Sequence, residues 1–322
     1  MNDLTRIEGV VTAVLTPIDP LGKPDLERLQ RHIRQLDKDG SNALLLMGTT
    51  GEGPSFGLAE REAILVSAIE AAGKMQVMAQ TGCASLADTV QLTRQAFAHG
   101  IQTVTIIPPF FFKGVSDTGL YAYYSQILDE AIPSWGRLML YHIPQVTQVP
   151  ISIGLVEMLL NRENTRVAGI KDSSGSIEHL REYCDHFPQL SIFTGNDHLI
   201  LESLKAGAVG CVTGVVNVFT SLAVEIVQAF SSGNPEAEEL QREFTAIWRV
   251  LERYQPYTTL LKALLALRYE DPGWISVRPP LERMLPAPLE EMIAELQSFE
   301  LPEAYDWIRQ ADARKLGLKE TI

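Results

Sequence analysis

Lys171 closes an apolar run, Val167-Ala168-Gly169-Ile170, where a solvated ammonium has little reason to be. In dry surroundings the charged form is disfavoured, the pKa falls, and the neutral amine can attack a carbonyl to give a Schiff base. The plain structural alternative is an ion pair with a barrel carboxylate such as Glu52 or Asp172. Tyr141 ends another apolar run; its phenol could pass a proton to and from a substrate held on such a lysine, with Thr49 as a hydroxyl relay. A core ring with its hydroxyl at the surface would read the same way. The segment Gly48-Thr49-Thr50-Gly51-Glu52-Gly53 lets backbone N–H groups approach a ligand closely, as in a carboxylate nest, although a tight turn without a ligand has the same composition. Phe110-Phe111-Phe112, after Pro108-Pro109, either packs a loop or walls a substrate pocket.

Metal and cofactor signatures are not found in the sequence. His142, His179, His186 and His198 lack metal-ligand spacing, and Cys83, Cys184 and Cys211 form no C-x-x-C pair. The glycines at 48, 51 and 53 do not spell a dinucleotide fingerprint, and Gly73-Lys74 is followed by Met75 rather than the Ser or Thr of a phosphate loop. We therefore expect no metal and no cofactor.

Residues of this kind need a rigid frame, and the chain predicts one. Short apolar or β-branched runs alternate with helical periodicity from residue 10 to about residue 232. The predicted strands are Val10 to Leu15, Ala43 to Met47, Gln76 to Gln80, Thr103 to Ile107, Leu138 to Ile143, Val167 to Lys171, Ser191 to Thr194 and Val209 to Thr213. Helices are predicted between them, among others over Asp25 to Lys38, Leu58 to Ala72, Leu86 to His99 and Ser176 to His186, with Ser85 and Gly100 as start and stop signals. Eight such units predict an α/β fold, a (β/α)8 TIM barrel, with an open doubly wound sheet as the alternative. Past residue 232 the segments Pro235 to Arg253, Thr258 to Arg268, Leu289 to Leu296 and Pro302 to Leu316 read as helices. We expect a barrel over 1–232 that carries the active site and a helical C-terminal extension over 233–322 that packs against it.

Composition bounds the partners. The 322 residues carry 27 Lys and Arg against 40 Asp and Glu, a formal charge of −13, which repels nucleic acid and anionic lipid. The N-terminal residues Met1 to Glu8 lack a basic stretch followed by an apolar one, and no run of apolar residues is long enough to span a bilayer. A reducing, cytoplasmic setting is expected, with neither nucleic acid nor membrane as a partner.

In a barrel the active site lies at the C-terminal ends of the strands, which is where Gly48 to Gly53, Tyr141-His142-Ile143-Pro144 and Lys171-Asp172-Ser173-Ser174-Gly175 fall. Together with Ala13-Val14-Leu15-Thr16-Pro17, Gly195-Asn196-Asp197 and Val277-Arg278-Pro279-Pro280, these segments resemble the dihydrodipicolinate synthase and N-acetylneuraminate lyase family of pyruvate-handling class I aldolases. The resemblance covers nearly the whole chain. It implies Lys171 as the Schiff-base lysine, Tyr141 as general acid/base, Thr49 as proton relay, and Thr50, with Gly48, Gly51 and the loop amides, as the holder of a 2-oxo acid carboxylate. It places Val212 where a backbone carbonyl adjoins bound pyruvate, and it implies a homotetramer built from dimers. The reaction implied is making or breaking a C3–C4 bond through an iminium, which supplies the electron sink without a metal.

Two departures bear on the substrate. Where dihydrodipicolinate synthases have a tyrosine that reaches a neighbouring subunit's site, this chain has Phe111; where they have an arginine for the semialdehyde carboxylate, it has Val146. His142 stands where asparagine is usual and Gln148 where a glycine often closes the motif. The residues thus predict a lyase or aldolase acting on pyruvate or a related 2-oxo acid with another aldehyde, either a 2-keto-3-deoxy sugar acid or a substrate with an apolar aldehyde half. Dihydrodipicolinate synthase itself, a dehydratase or hydratase-aldolase of the same family, and a non-catalytic 2-oxo acid sensor are the alternatives.

Overall fold

The structure is a computed structural model that describes residues 7–163 and 165–316; the N-terminal segment on which the targeting expectation partly rests lies mostly outside them. Eight parallel strands close in sequence order into a barrel. They are β1 (Gly9–Ala13), β2 (Ala43–Leu46), β3 (Gln76–Gln80), β4 (Thr103–Ile106), β5 (Arg137–His142), β6 (Val167–Asp172), β7 (Ser191–Thr194) and β8 (Gly210–Thr213). Each predicted strand is present to within two residues at either end. The closed sheet removes the doubly wound alternative, because β1 pairs with β8 through Val11 and Val212.

Period-two alternation sorts the strand residues into two cores. Val11, Ala43, Leu45, Met78, Met139, Phe193 and Val212 fill the barrel, whereas Leu44, Leu46, Leu138, Leu140, Ile170 and Ile192 face the surrounding helices. The helices begin where the sequence offers a side-chain oxygen: Asp25, Ser85, Ser116 and Ser176 each accept from a backbone N–H of the first turn, which satisfies an otherwise orphaned donor.

The helices beyond residue 232 share an apolar cluster with the barrel. Phe244, Leu260, Trp274, Leu289 and Tyr305 pack with Val10 of β1 and Cys211 of β8. Helix Tyr257–Arg268 is buried along nearly all of its length, so it serves as a further wall of the molecule. The helix predicted over Pro302 to Leu316 is not continuous: turns at Glu303–Tyr305 and Ala313–Leu316 flank a short helix at Asp306–Gln310. Ala311 is extended, and the Asp312 side chain accepts from the Arg314 N–H at 3.0 Å, a local bond that competes with helix continuation. Among the described residues no helix is long and apolar enough to cross a membrane.

Helix Tyr257–Arg268 also covers a carboxyl at the end of β7. Tyr257 donates to Asp197 at 3.4 Å, and burial pushes the Asp197 carboxyl up to about 6 against the hydrogen bonds that oppose it. A carboxyl with a native pKa above its unfolded value of about 4 holds its proton more tightly in the fold. Its contribution to stability is therefore complete below about pH 4 and is lost as pH rises through about 6. Two units on a fully buried group correspond to on the order of 3 kcal/mol. Thermal melts of Asp197→Asn across that window should lack the decline that the unmodified chain shows.

Candidate active site

The register of two strands brings the lysine and the tyrosine together. In the β5–β6 ladder Tyr141 lies beside Lys171 and His142 beside Asp172, so alternation sends the first pair into the barrel mouth and the second outward under the helices. Strict alternation from Val167 would put Lys171 on the outer face, since Val167 and Ile170 both belong to the outer core. A register shift after Leu138 opposes Met139 to Gly169 rather than to Ala168, and that extra residue turns Lys171 inward. Gly169 suits the irregularity: a Cβ there would stand 2.3 Å from the Ser191 carbonyl oxygen.

Inside the mouth, Lys171 Nζ lies 4.0 Å from the centroid of the Tyr141 ring. The Tyr141 and Thr49 hydroxyl oxygens are 3.4 Å apart. Lys171 is 4% exposed and Tyr141 2%. Neither carboxylate offered as an alternative partner takes this lysine: Glu52 pairs with Lys262, and Asp172 turns outward to His179. Burial pushes the Tyr141 phenol up, but the charge of Lys171 and hydrogen bonds from Thr49, Lys171 and Ser173 outweigh it and hold the phenol below its ordinary value. Spectroscopic titration of the phenolate should therefore show ionisation at lower pH in the unmodified chain than in Lys171→Met. Removal of the positive charge leaves burial dominant.

The loop after β2 takes its shape from close backbone approach. A Cβ on Gly51 would come within 2.5 Å of the Val14 carbonyl oxygen, and Thr16 donates its hydroxyl to the Gly51 carbonyl at 2.8 Å. Arg61 clamps the Gly53 carbonyl at 3.0 Å through Nε. Among the described residues the Thr49 and Thr50 N–H groups have no protein acceptor, so the nest has donors to offer. Thr258 donates to the Thr50 carbonyl at 3.2 Å, and a Cβ on Gly214 would meet Thr50 Oγ1 at 3.0 Å, which sets Thr50 at the end of β8. Gly48 is buried at the start of the same loop. Val212 is fully buried, its side chain in the barrel-filling cluster below the mouth.

A cavity of about 430 Å³ opens next to Thr49 and takes Phe110 and Val146 into its lining. Phe111, the aromatic position expected to bind substrate, is not among its lining residues. Phe111 is 72% exposed and packs edge-on against Phe112, because the loop after β4 turns Phe110 inward against Ile107, Tyr141 and Ile143.

Lys262 carried no chemical signal in the sequence, and the groupings below were not visible in it. Lys262 and Glu52 form an ion pair in which both side chains are essentially without solvent contact, and Lys262 also donates to the Ser276 carbonyl at 3.0 Å. Ser173 was visible only as part of the motif after Lys171. On the outer face the fold brings together His142, Asp172 and His179, which linear spacing had kept apart. His142 stacks on His179 at 4.5 Å and accepts from the Ile151 N–H at 3.0 Å; Asp172 accepts from the Ser174 N–H at 2.8 Å and pairs with His179 at 3.1 Å. Burial pulls His142 down to about 4, whereas the hydrogen bond to Asp172 raises His179. Since these groups largely satisfy one another, the cluster braces the ends of β5 and β6 behind Lys171 and Tyr141.

The Dihydrodipicolinate synthetase family matches over residues 6–296. The chain belongs to that family. A DapA-like lyase of Chloroflexus aurantiacus is 39% identical over 295 residues, covering 91% of this chain and 96% of the relative. A 4-hydroxy-tetrahydrodipicolinate synthase of Parasynechococcus marenigrum is 34% identical over 302 residues, covering 90% and 94%. Among solved structures, the dihydrodipicolinate synthase of Aquifex aeolicus superposes with a TM-score of 0.83 at 26% identity, covering 92% of this chain and 99% of that one. YagE, a prophage protein of E. coli K12 crystallised with pyruvate, shares the fold with a TM-score of 0.85 at 24% identity, covering 92% and 99%. As a member of the dihydrodipicolinate synthetase family the chain is an enzyme of the lyase class on a (β/α)8 barrel.

Proposed function

We propose that the chain is a Schiff-base lyase that joins or separates a pyruvate unit, or a related 2-oxo acid, and an aldehyde. The observation that carries the reading is the pairing of Lys171 with Tyr141 across the β5–β6 ladder, both buried at the mouth of the barrel. Lys171 condenses with the C2 carbonyl to give an iminium, whose positive nitrogen draws the electrons of the C3–C4 bond as Tyr141 takes the C4 hydroxyl proton. Thr49, at hydrogen-bonding distance, passes that proton on. Thr50 and the free amides of the loop after β2 hold the carboxylate, with Gly48 and Gly51 allowing the approach and the Val212 backbone beneath. The iminium itself is the electron sink, so the mechanism calls for no cofactor. The exposed Phe111 and Phe112 rings support assembly of several copies, the homotetramer that the resemblance implies.

Borohydride reduction with pyruvate present, followed by intact-mass measurement and peptide mapping, tests the reading. A mass gain equal to reduced pyruvate, located on Lys171 and missing from Lys171→Ala, is expected. An unmodified mass with pyruvate and with larger 2-oxo acids would rule the reading out and favour a 2-oxo acid sensor.

The curated 4-hydroxy-tetrahydrodipicolinate synthases at 30–34% identity favour a second reading, condensation of pyruvate with aspartate semialdehyde. Against it, position 146 at the cavity is an aliphatic side chain, and a valine cannot replace a bidentate guanidinium.

A further inference from the structure

We infer that the aldehyde half of the substrate is uncharged and apolar, aromatic or branched aliphatic; the inference rests on the Schiff-base reading above. The cavity beside Thr49 is walled by Ile107, Phe110, Ile143, Val146, Pro256 and Leu281. Among the described residues of its lining there is no lysine, arginine or histidine, and its acid, Glu52, is held by Lys262. A carboxylate entering this space finds no cation to pair with, whereas apolar atoms lose contact with water against its aliphatic and aromatic walls.

Two cations around the cavity are committed elsewhere. Lys113, exposed at the rim, donates to the Phe110 and Thr147 carbonyls. Arg278 is engaged by the Gly22 and Ser55 carbonyls and by Glu60. Some polar lining groups are spent as well: Thr147 donates to the Ile143 carbonyl at 3.1 Å and Gln255 to the Glu252 carbonyl at 3.3 Å. One buried polar group bears on the acceptor's chemistry. Gln80, 2% exposed, lines the cavity with a buried side-chain oxygen that has no partner. The free oxygen suits a ligand O–H or N–H, and a single side-chain amide cannot satisfy a polyhydroxylated chain.

In the joining direction, C3 of the Lys171-bound enamine attacks the aldehyde carbon and the carbonyl electron pair moves to oxygen. That oxygen takes the phenol proton of Tyr141, which the proton released from C3 on enamine formation replaces. Water then hydrolyses the iminium, freeing a 4-hydroxy-2-oxo acid and the lysine amine.

The test is kcat/KM for condensation of pyruvate with benzaldehyde, glyceraldehyde and succinic semialdehyde, run beside borohydride trapping of pyruvate alone. Benzaldehyde is expected to exceed each of the others by about tenfold or more, within the discrimination such pockets achieve. Val146→Arg, at a position 56% exposed and so tolerant of change, should shift the ratio of succinic semialdehyde to benzaldehyde by about tenfold toward the former. Equal or better use of glyceraldehyde or succinic semialdehyde by the unmodified chain overturns the inference, as does failure to condense any of the three. If the pyruvate adduct on Lys171 still forms in those cases, only the acceptor is wrong; if the adduct is absent, the Schiff-base reading falls with it.

Discussion

Lys171→Ala should exchange the C3 protons of pyruvate with solvent roughly four orders of magnitude more slowly than the unmodified chain, or not at all. Exchange reports enamine formation and needs no aldehyde, so it isolates the lysine's step from the identity of the acceptor. Nothing in the bulk of the fold depends on this side chain: it makes no ion pair among the described residues and projects into the mouth of the barrel. Circular dichroism and melting temperature should therefore change little. Tyr141→Phe separates the two roles. Its ring still packs against Ile107 and Ile143, but the proton carrier is gone, and turnover is expected to fall by about 10²–10⁴-fold while the adduct on Lys171 can still be trapped. Exchange by Lys171→Ala within tenfold of the unmodified rate would show that another group forms the imine.

Lys262→Met should cost about 3–5 kcal/mol of stability, read as the shift of the urea unfolding midpoint at constant slope. The magnitude follows from burial on both sides: the two side chains are 0% and 1% exposed, so removing one leaves a carboxylate charge stranded in a dry site. Methionine keeps most of the volume, and cavity formation adds little. Pairing the change with Glu52→Gln should recover a large part of the loss, because the orphaned charge, rather than the lost attraction, dominates the cost. The same pair ties helix Tyr257–Arg268 to the loop that carries Thr49 and Thr50, so the single variant should also weaken retention of pyruvate. A loss below about 1 kcal/mol, the value of a surface pair, would mean that water reaches Glu52.

Strand positions were readable because each is a short apolar run bounded by polar turns, and the helix starts because serine or aspartate stands before an amphipathic period. Lys171 and Tyr141 were legible for a related reason, since polar groups that end apolar strands have few structural explanations. Phe110 and Phe111 were harder: both are aromatic, and only the turn of the loop decides which one faces the cavity. Lys262 gave no signal, as a lysine within a helix is ordinarily a solvated one, and its burial depends on Glu52, which lies far away along the chain. His142, Asp172 and His179 have no informative spacing because they come from two strands and a helix that meet only in the fold.

From the sequence alone followed an eight-unit α/β barrel with helices after it, a lysine and a phenol at strand ends and a glycine-rich loop, all of them local in origin: periodicity, turn residues and side-chain chemistry. Which face of β6 carries the lysine was not local. Counting by twos from Val167 points Lys171 at the helices, and only the register shift against β5 at Leu138 and Met139 turns it toward Tyr141. Register is set by hydrogen bonding between strands and by what each face must bury, and neither exists until the barrel closes.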